Sequence, residues 1–85
     1  MIKVKLIYFS RIREVIGKSS EEISVKSKIV GDLIEELQDI GREYEVLKGK
    51  EFKVYFAVDQ KLLTDLDSSI CGAKEIAFFP PMTGG

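Results

Sequence analysis

Residues 30–40 carry the one long apolar stripe at helical period in this chain. Val30, Leu33, Ile34, Leu37 and Ile40 recur at a spacing of roughly 3.6 residues, while Asp32, Glu35, Glu36 and Asp39 fill the opposite side. Gly41 follows and ends the helix. The acidic row reads as the solvated face that any amphipathic surface helix presents. A chain with a single long helix can cover only one face of a sheet, so its remaining apolar segments must form one sheet whose other face meets water.

Those segments alternate as strands do. In residues 2–9, Ile2, Val4, Leu6 and Tyr8 share one face, and Lys3, Lys5, Ile7 and Phe9 the other. Ser10 is placed to cap a short helix in which Ile12, Val15 and Ile16 fall at helical spacing, and Gly17 stops it. Residues 20–26 alternate again, with Ile23 and Val25 inward. Residues 42–52 mix charges without a period and read as a loop with room for one more helical turn. Lys53–Val58 resumes alternation with Val54, Phe56 and Val58 inward, Asp59-Gln60 forms a tight turn, and Leu62-Leu63 starts a short returning strand. In the polar connection 64–72, Leu66 and Ile70 are expected to anchor on the core. Glu75–Phe79 is the last strand, ended by Pro80-Pro81 because proline cannot donate to a ladder. The order β-α-β-α-β-β-β gives an α+β domain with a mixed sheet of four or five strands. The domain spans 1–79, and a tail, 80–85, follows it.

The side-chain inventory excludes several functions. The chain has 85 residues and a net charge of -1 from 13 basic and 14 acidic groups, without the basic excess a nucleic-acid binder needs. It has no His and one Cys, so a nucleophile has no base to activate it, and no metal-ligand spacing occurs. Its glycines before the tail (Gly17, Gly31, Gly41, Gly49, Gly72) stand singly, unlike a phosphate-binding loop. No apolar run approaches the roughly 20 residues of a membrane span, and residues 1–9 lack the layout of a signal peptide. The expected location is cytoplasmic, with no nucleic-acid or membrane partner, no tightly bound cofactor and no metal.

Two features point outward to other proteins. If the first, middle and last strands are neighbours, Ile7, Phe9, Tyr55, Ala57, Ala77 and Phe79 make one apolar patch on the uncovered sheet face. Beside it the sequence closes on Pro80-Pro81-Met82-Thr83-Gly84-Gly85. The prolines stiffen the neck and point it away from the sheet, and the glycines let the end enter a channel too narrow for a side chain. Six extended residues reach about 20 Å. Two consecutive glycines at the end arise by chance in about 0.5% of sequences.

The segment Ala77-Phe78-Phe79-Pro80-Pro81-Met82-Thr83-Gly84-Gly85 resembles the ending of the small subunits of molybdopterin synthase, which are ubiquitin-like sulfur carriers. The likeness extends to Phe9-Ser10-Arg11-Ile12-Arg13-Glu14-Val15-Ile16-Gly17, to Val30–Leu37 and to Ala57-Val58-Asp59. The chain departs from the family's pattern at Asp59-Gln60, where Asn-Gly is usual, and at Gly72–Glu75. The resemblance implies a β-grasp fold and a carrier without catalytic side chains. An E1-like activating enzyme would use ATP to adenylate Gly85, and a sulfur donor system would convert the carboxylate to a thiocarboxylate. The tail, Gly84 and Gly85 foremost, would then enter the large synthase subunit and pass sulfur to a pyranopterin precursor of the molybdenum or tungsten cofactor. Ile7, Phe9, Tyr55, Ala57, Phe79, Pro80, Pro81, Met82 and Thr83 would contact the partners.

Three other fates fit the same residues: a sulfur carrier for thiazole synthesis, a modifier conjugated to lysines of other proteins, or a β-grasp interaction module with an inert tail. Cys71 sits in a polar loop with no histidine beside it and reads as an incidental small residue.

Overall fold

A computed structural model describes residues 1–81. The elements run β1 (Ile2–Tyr8), α1 (Ser10–Ile16), β2 (Ser20–Val25), α2 (Val30–Ile40), a 3₁₀ helix (Arg42–Lys48), β3 (Tyr55–Val58), β4 (Lys61–Leu63) and β5 (Glu75–Phe79). The five strands form one mixed sheet in the order β2-β1-β5-β3-β4. β1 and β5 lie parallel at its centre, and the other neighbours are antiparallel. This is the β-grasp arrangement.

Strand parity decides which side chains are buried. Val4, Leu6 and Tyr8 of β1, Ile76 and Phe78 of β5 and Phe56 of β3 face the helices, where they meet Leu33, Ile34 and Leu37 of α2 and Ile12 and Ile16 of α1 in one core. Tyr8 stacks on Phe78 with ring centroids 6.1 Å apart. The Asp59-Gln60 turn forms as expected, with positive φ at both residues (48° and 71°), as a type I′ hairpin requires. Aspartate suits the first position because it tolerates that conformation. Its Oδ1 also accepts hydrogen bonds from the Lys74 and Glu75 N–H groups at 2.9 and 3.0 Å, tying the hairpin to the start of β5.

Several expectations need correction. Ser10 does not cap α1: Phe9 holds the cap position with no side-chain hydrogen bond, and Ser10 is the first helical residue, at φ 54°. β1 ends at Tyr8 and β3 begins at Tyr55, two residues later than the alternation from Lys53 suggests. Val15, Ile40 and Leu66 are exposed at 42%, 57% and 53%. The two helical residues lie at the margin of their stripes. Leu66 meets the surface of α2 through its backbone, whose carbonyl accepts the Gly31 N–H at 2.8 Å. The segment read as a loop from residue 42 is largely a 3₁₀ helix that buries Tyr44, Val46 and Leu47.

Tyr44 explains why that charged segment folds inward. Its hydroxyl and that of Tyr8 both donate to Glu21 Oε2, at 2.6 and 2.7 Å, while Lys18 reaches Oε1 at 3.2 Å. Burial pushes the Glu21 carboxyl up, but the hydrogen bonds from Tyr44, Tyr8 and Lys18 outweigh it and hold the group below its ordinary 4.5. The folded carboxylate therefore binds its proton more weakly than the unfolded one. Its stabilisation is fully present above the unfolded value and is lost as pH falls through the folded one. Melting temperature should decline on acidification below about pH 4.5, and Glu21→Gln should flatten that part of the profile. An unchanged acid limb in the variant would show that Glu21 does not carry it.

Candidate functional site

The face of the sheet turned away from the helices carries two rows of apolar side chains. The register sets Ile7 beside Ala77, Ala77 beside Ala57, and Ala57 beside Leu62, so one row crosses four strands. In the second row Phe79 is paired with Tyr55, and their rings stack with centroids 6.0 Å apart. Phe9 has extended backbone (φ -116°, ψ 150°), which continues the parity of Ile7, and its N–H donates to the Phe78 carbonyl at 3.1 Å. It is 42% exposed. The first, last and middle strands are thus neighbours, and the six patch residues expected from sequence share one face.

Leu62, expected in a short returning strand but not in the patch, joins the first row and is 59% exposed. The signal for it was present: a two-residue turn at Asp59-Gln60 fixes the register of the returning strand and so places Leu62 opposite Ala57. With Tyr55, Phe79, Pro80 and Pro81, Leu62 lines a shallow pocket of about 250 Å³. Pro80 and Pro81 are half-buried against this pocket, so the neck begins along the patch instead of pointing straight away from the sheet. Met82, Thr83, Gly84 and Gly85 lie outside the described residues.

The patch is almost wholly apolar. Its one polar side-chain atom is the Tyr55 hydroxyl, and the Lys53 ammonium sits 5.2 Å from the centre of the same ring. Among the described residues no group of three or more His, Cys, Asp or Glu is placed to hold a metal ion. None of their helices is long and apolar enough to cross a membrane. Cys71 is exposed in a turn after Ser69, whose Oγ accepts its N–H at 3.1 Å. A larger groove of about 730 Å³ opens on the helix side, between α2 and a wall that includes Leu47, Val54, Phe56 and Leu66, and shares none of the apolar patch residues.

Comparison with known proteins places this arrangement. The chain is 33% identical over 87 residues to the molybdopterin synthase sulfur carrier subunit of Mycobacterium tuberculosis, covering all of both chains. It is 29% identical over 82 residues to the subunit of the same name from Escherichia coli, covering 96% of this chain and 99% of the other. Among solved structures, a putative molybdopterin converting factor subunit 1 from Pyrococcus furiosus superposes with a TM-score of 0.70 at 29% identity, over 96% of this chain and all of the other. The model of the ThiS family matches residues 6–85, a span that includes every patch residue and the Gly84-Gly85 pair. The chain belongs to the ThiS family.

Proposed function

We propose that this chain is the sulfur carrier subunit of a molybdopterin synthase, with Gly85 as the carrying residue. The observation that supports this best is continuity: the apolar rows of the uncovered sheet face run into the Pro80-Pro81 neck, which leads to the Gly-Gly end. A partner that grips the patch thereby fixes where the tail begins. An end delivered from a fixed origin gains a high effective concentration at the partner's active site.

Activation follows from carboxylate chemistry. A carboxylate is a poor electrophile, so the activating enzyme first joins an oxygen of Gly85 to the α-phosphorus of ATP and releases pyrophosphate. The acyl adenylate carries AMP as a good leaving group. A sulfur nucleophile displaces it, and the end becomes a thiocarboxylate. In the synthase the thiocarboxylate sulfur attacks an oxygen-bearing carbon of the pyranopterin precursor, and the carbon–oxygen bond breaks as the carbon–sulfur bond forms. Hydrolysis of the acyl link then restores the Gly85 carboxylate. The side chains that move protons in these steps belong to the partners, since the patch offers area and shape alone.

Because one surface serves both partners, the activating enzyme and the large synthase subunit should compete for this chain. Adding either to a preformed complex of the other should displace it in sedimentation or fluorescence anisotropy. A stable ternary complex would place one partner elsewhere and contradict the shared patch.

A further inference from the structure

The chain leaves the sheet at the end of β5, between β1 and β3, which flank it. The register pairs Tyr8 with Phe78 on one side and Tyr55 with Phe79 on the other. Counted onward residue by residue, both sides arrive at Pro81: Arg11, just after β1, and Lys53, just before β3, stand abreast of it. The Arg11 guanidinium lies 5.5 Å from the centre of the Phe52 ring, so this side chain crosses the end of β5 to reach the segment before β3. Phe52 packs against the core, which places that contact on the helix side. Lys53 alternates with Tyr55 and sits on the patch side, its ammonium 5.2 Å from the centre of the Tyr55 ring. The neck therefore leaves between two cations, one on each face of the sheet. Cation–π contacts occur roughly once per 70–80 residues, so two on rings only three residues apart are a local concentration.

Charge gathers at the same place. The α1 helix and residues 48–53 carry five basic groups (Arg11, Arg13, Lys48, Lys50, Lys53) against Glu14 and Glu51, in a chain whose net charge is -1. Arg13 is held at the end of β1, its Nε donating to the Tyr8 carbonyl at 3.1 Å. Asp65, past the end of β4, turns its Oδ1 to the Asp67 N–H. Among the described residues the one ion pair is Lys18–Glu21, so neither Arg11 nor Lys53 has a carboxylate partner. Ala77 to Gly85 contribute no charged side chain. Reach then decides what the two cations can do. Four residues beyond Pro81 span up to about 14 Å, so a tail drawn into a channel carries the Gly85 carboxyl far from Arg11 and Lys53. They stand instead at the channel's entrance.

We infer that Arg11 and Lys53 form a collar at the root of the tail that pairs with carboxylates around the mouth of the channel in the large synthase subunit. This rests on the reading of the tail as the delivered end. The apolar patch supplies contact area on one face alone, whereas the collar holds the neck from both faces and sets the direction in which the tail enters. Opposite charge on the channel rim also steers the encounter, an effect that salt screens.

The test titrates the full chain with the large subunit of a synthase of the family, by fluorescence anisotropy at about 50 and about 500 mM salt. At low salt Lys53→Glu and Arg11→Glu should each bind about tenfold more weakly, and at high salt the loss should shrink below about threefold. Lys53→Arg and Arg11→Lys keep the charge and should bind as the parent does. Lys3→Glu alters an exposed residue at the far end of the same sheet, and should change affinity less than about twofold. Unchanged binding of the two glutamate variants at low salt, tighter binding by either, or an equal loss in Lys3→Glu would overturn the inference. Phe79→Ala separates it from the reading beneath. If that variant binds weakly while the glutamate variants bind normally, the collar fails and the docking patch stands. If all three bind normally, the patch fails with it.

Discussion

Phe78→Ala should lower the free energy of unfolding by about 3–5 kcal/mol, whereas Phe79→Ala, one residue later, should leave stability within about 1 kcal/mol. The two rings stand on opposite faces of the same strand. Phe78 is fully buried in the core and stacks on Tyr8, so its removal opens a cavity between the sheet and the helices. Phe79 is half-buried on the far face and stacks on Tyr55. In a domain of this size each kcal/mol moves the melting temperature by about 4–8 °C, so the first variant is largely unfolded at physiological temperature. Partner affinity should show the reverse order among folded variants: Phe79→Ala should bind the large subunit at least about tenfold more weakly, as loss of an interface aromatic does. Melting curves and anisotropy titrations check both. A large loss of stability in Phe79→Ala with unchanged affinity would make that ring structural and remove the patch from the account.

Deleting Gly85 should reduce sulfur loading by at least about 10³-fold while leaving the melting temperature unchanged. One residue advances an extended chain by about 3.5 Å, and a misplacement of even about 1 Å can cost 10²-fold in rate. Gly84→Val should act similarly by a different route, since it adds a branched side chain where a narrow channel expects none. Both positions follow β5, the last strand of the described residues, in sequence. Loading followed by pyrophosphate release separates the steps. Failure of the deletion at adenylation places the loss in the activating enzyme's site, and normal activity would return the tail to an inert role.

Much of the fold was legible because strands and helices bury side chains at different periods. Val4, Leu6 and Tyr8, or Ile76 and Phe78, announce their face by alternation alone, and the stripe on α2 sets the number of covered faces. The patch followed from the same parity once the strand order was assumed. Period failed where burial depends on what lies opposite. Arg42–Lys48 looks polar, yet Tyr44 turns inward because Glu21, on a distant strand, accepts its hydroxyl. Ser10 has the composition of a cap, but the chain enters α1 one residue early, through Phe9. Leu66 is apolar and still exposed, since the connection meets α2 through its backbone. Leu62 stayed outside the expected patch because a three-residue strand gives no period, although the turn before it fixed its face.

Intact mass spectrometry shows most directly whether the C-terminal carboxyl of Gly85 carries sulfur. The chain is incubated with an activating enzyme of the family, ATP and a sulfur donor, and its mass is compared before and after. Replacement of one oxygen by sulfur predicts a gain of about 16 Da, confined by fragmentation to the C-terminal residue and absent without ATP. An unchanged mass, with an enzyme that loads a known carrier in the same tube, would contradict the claim.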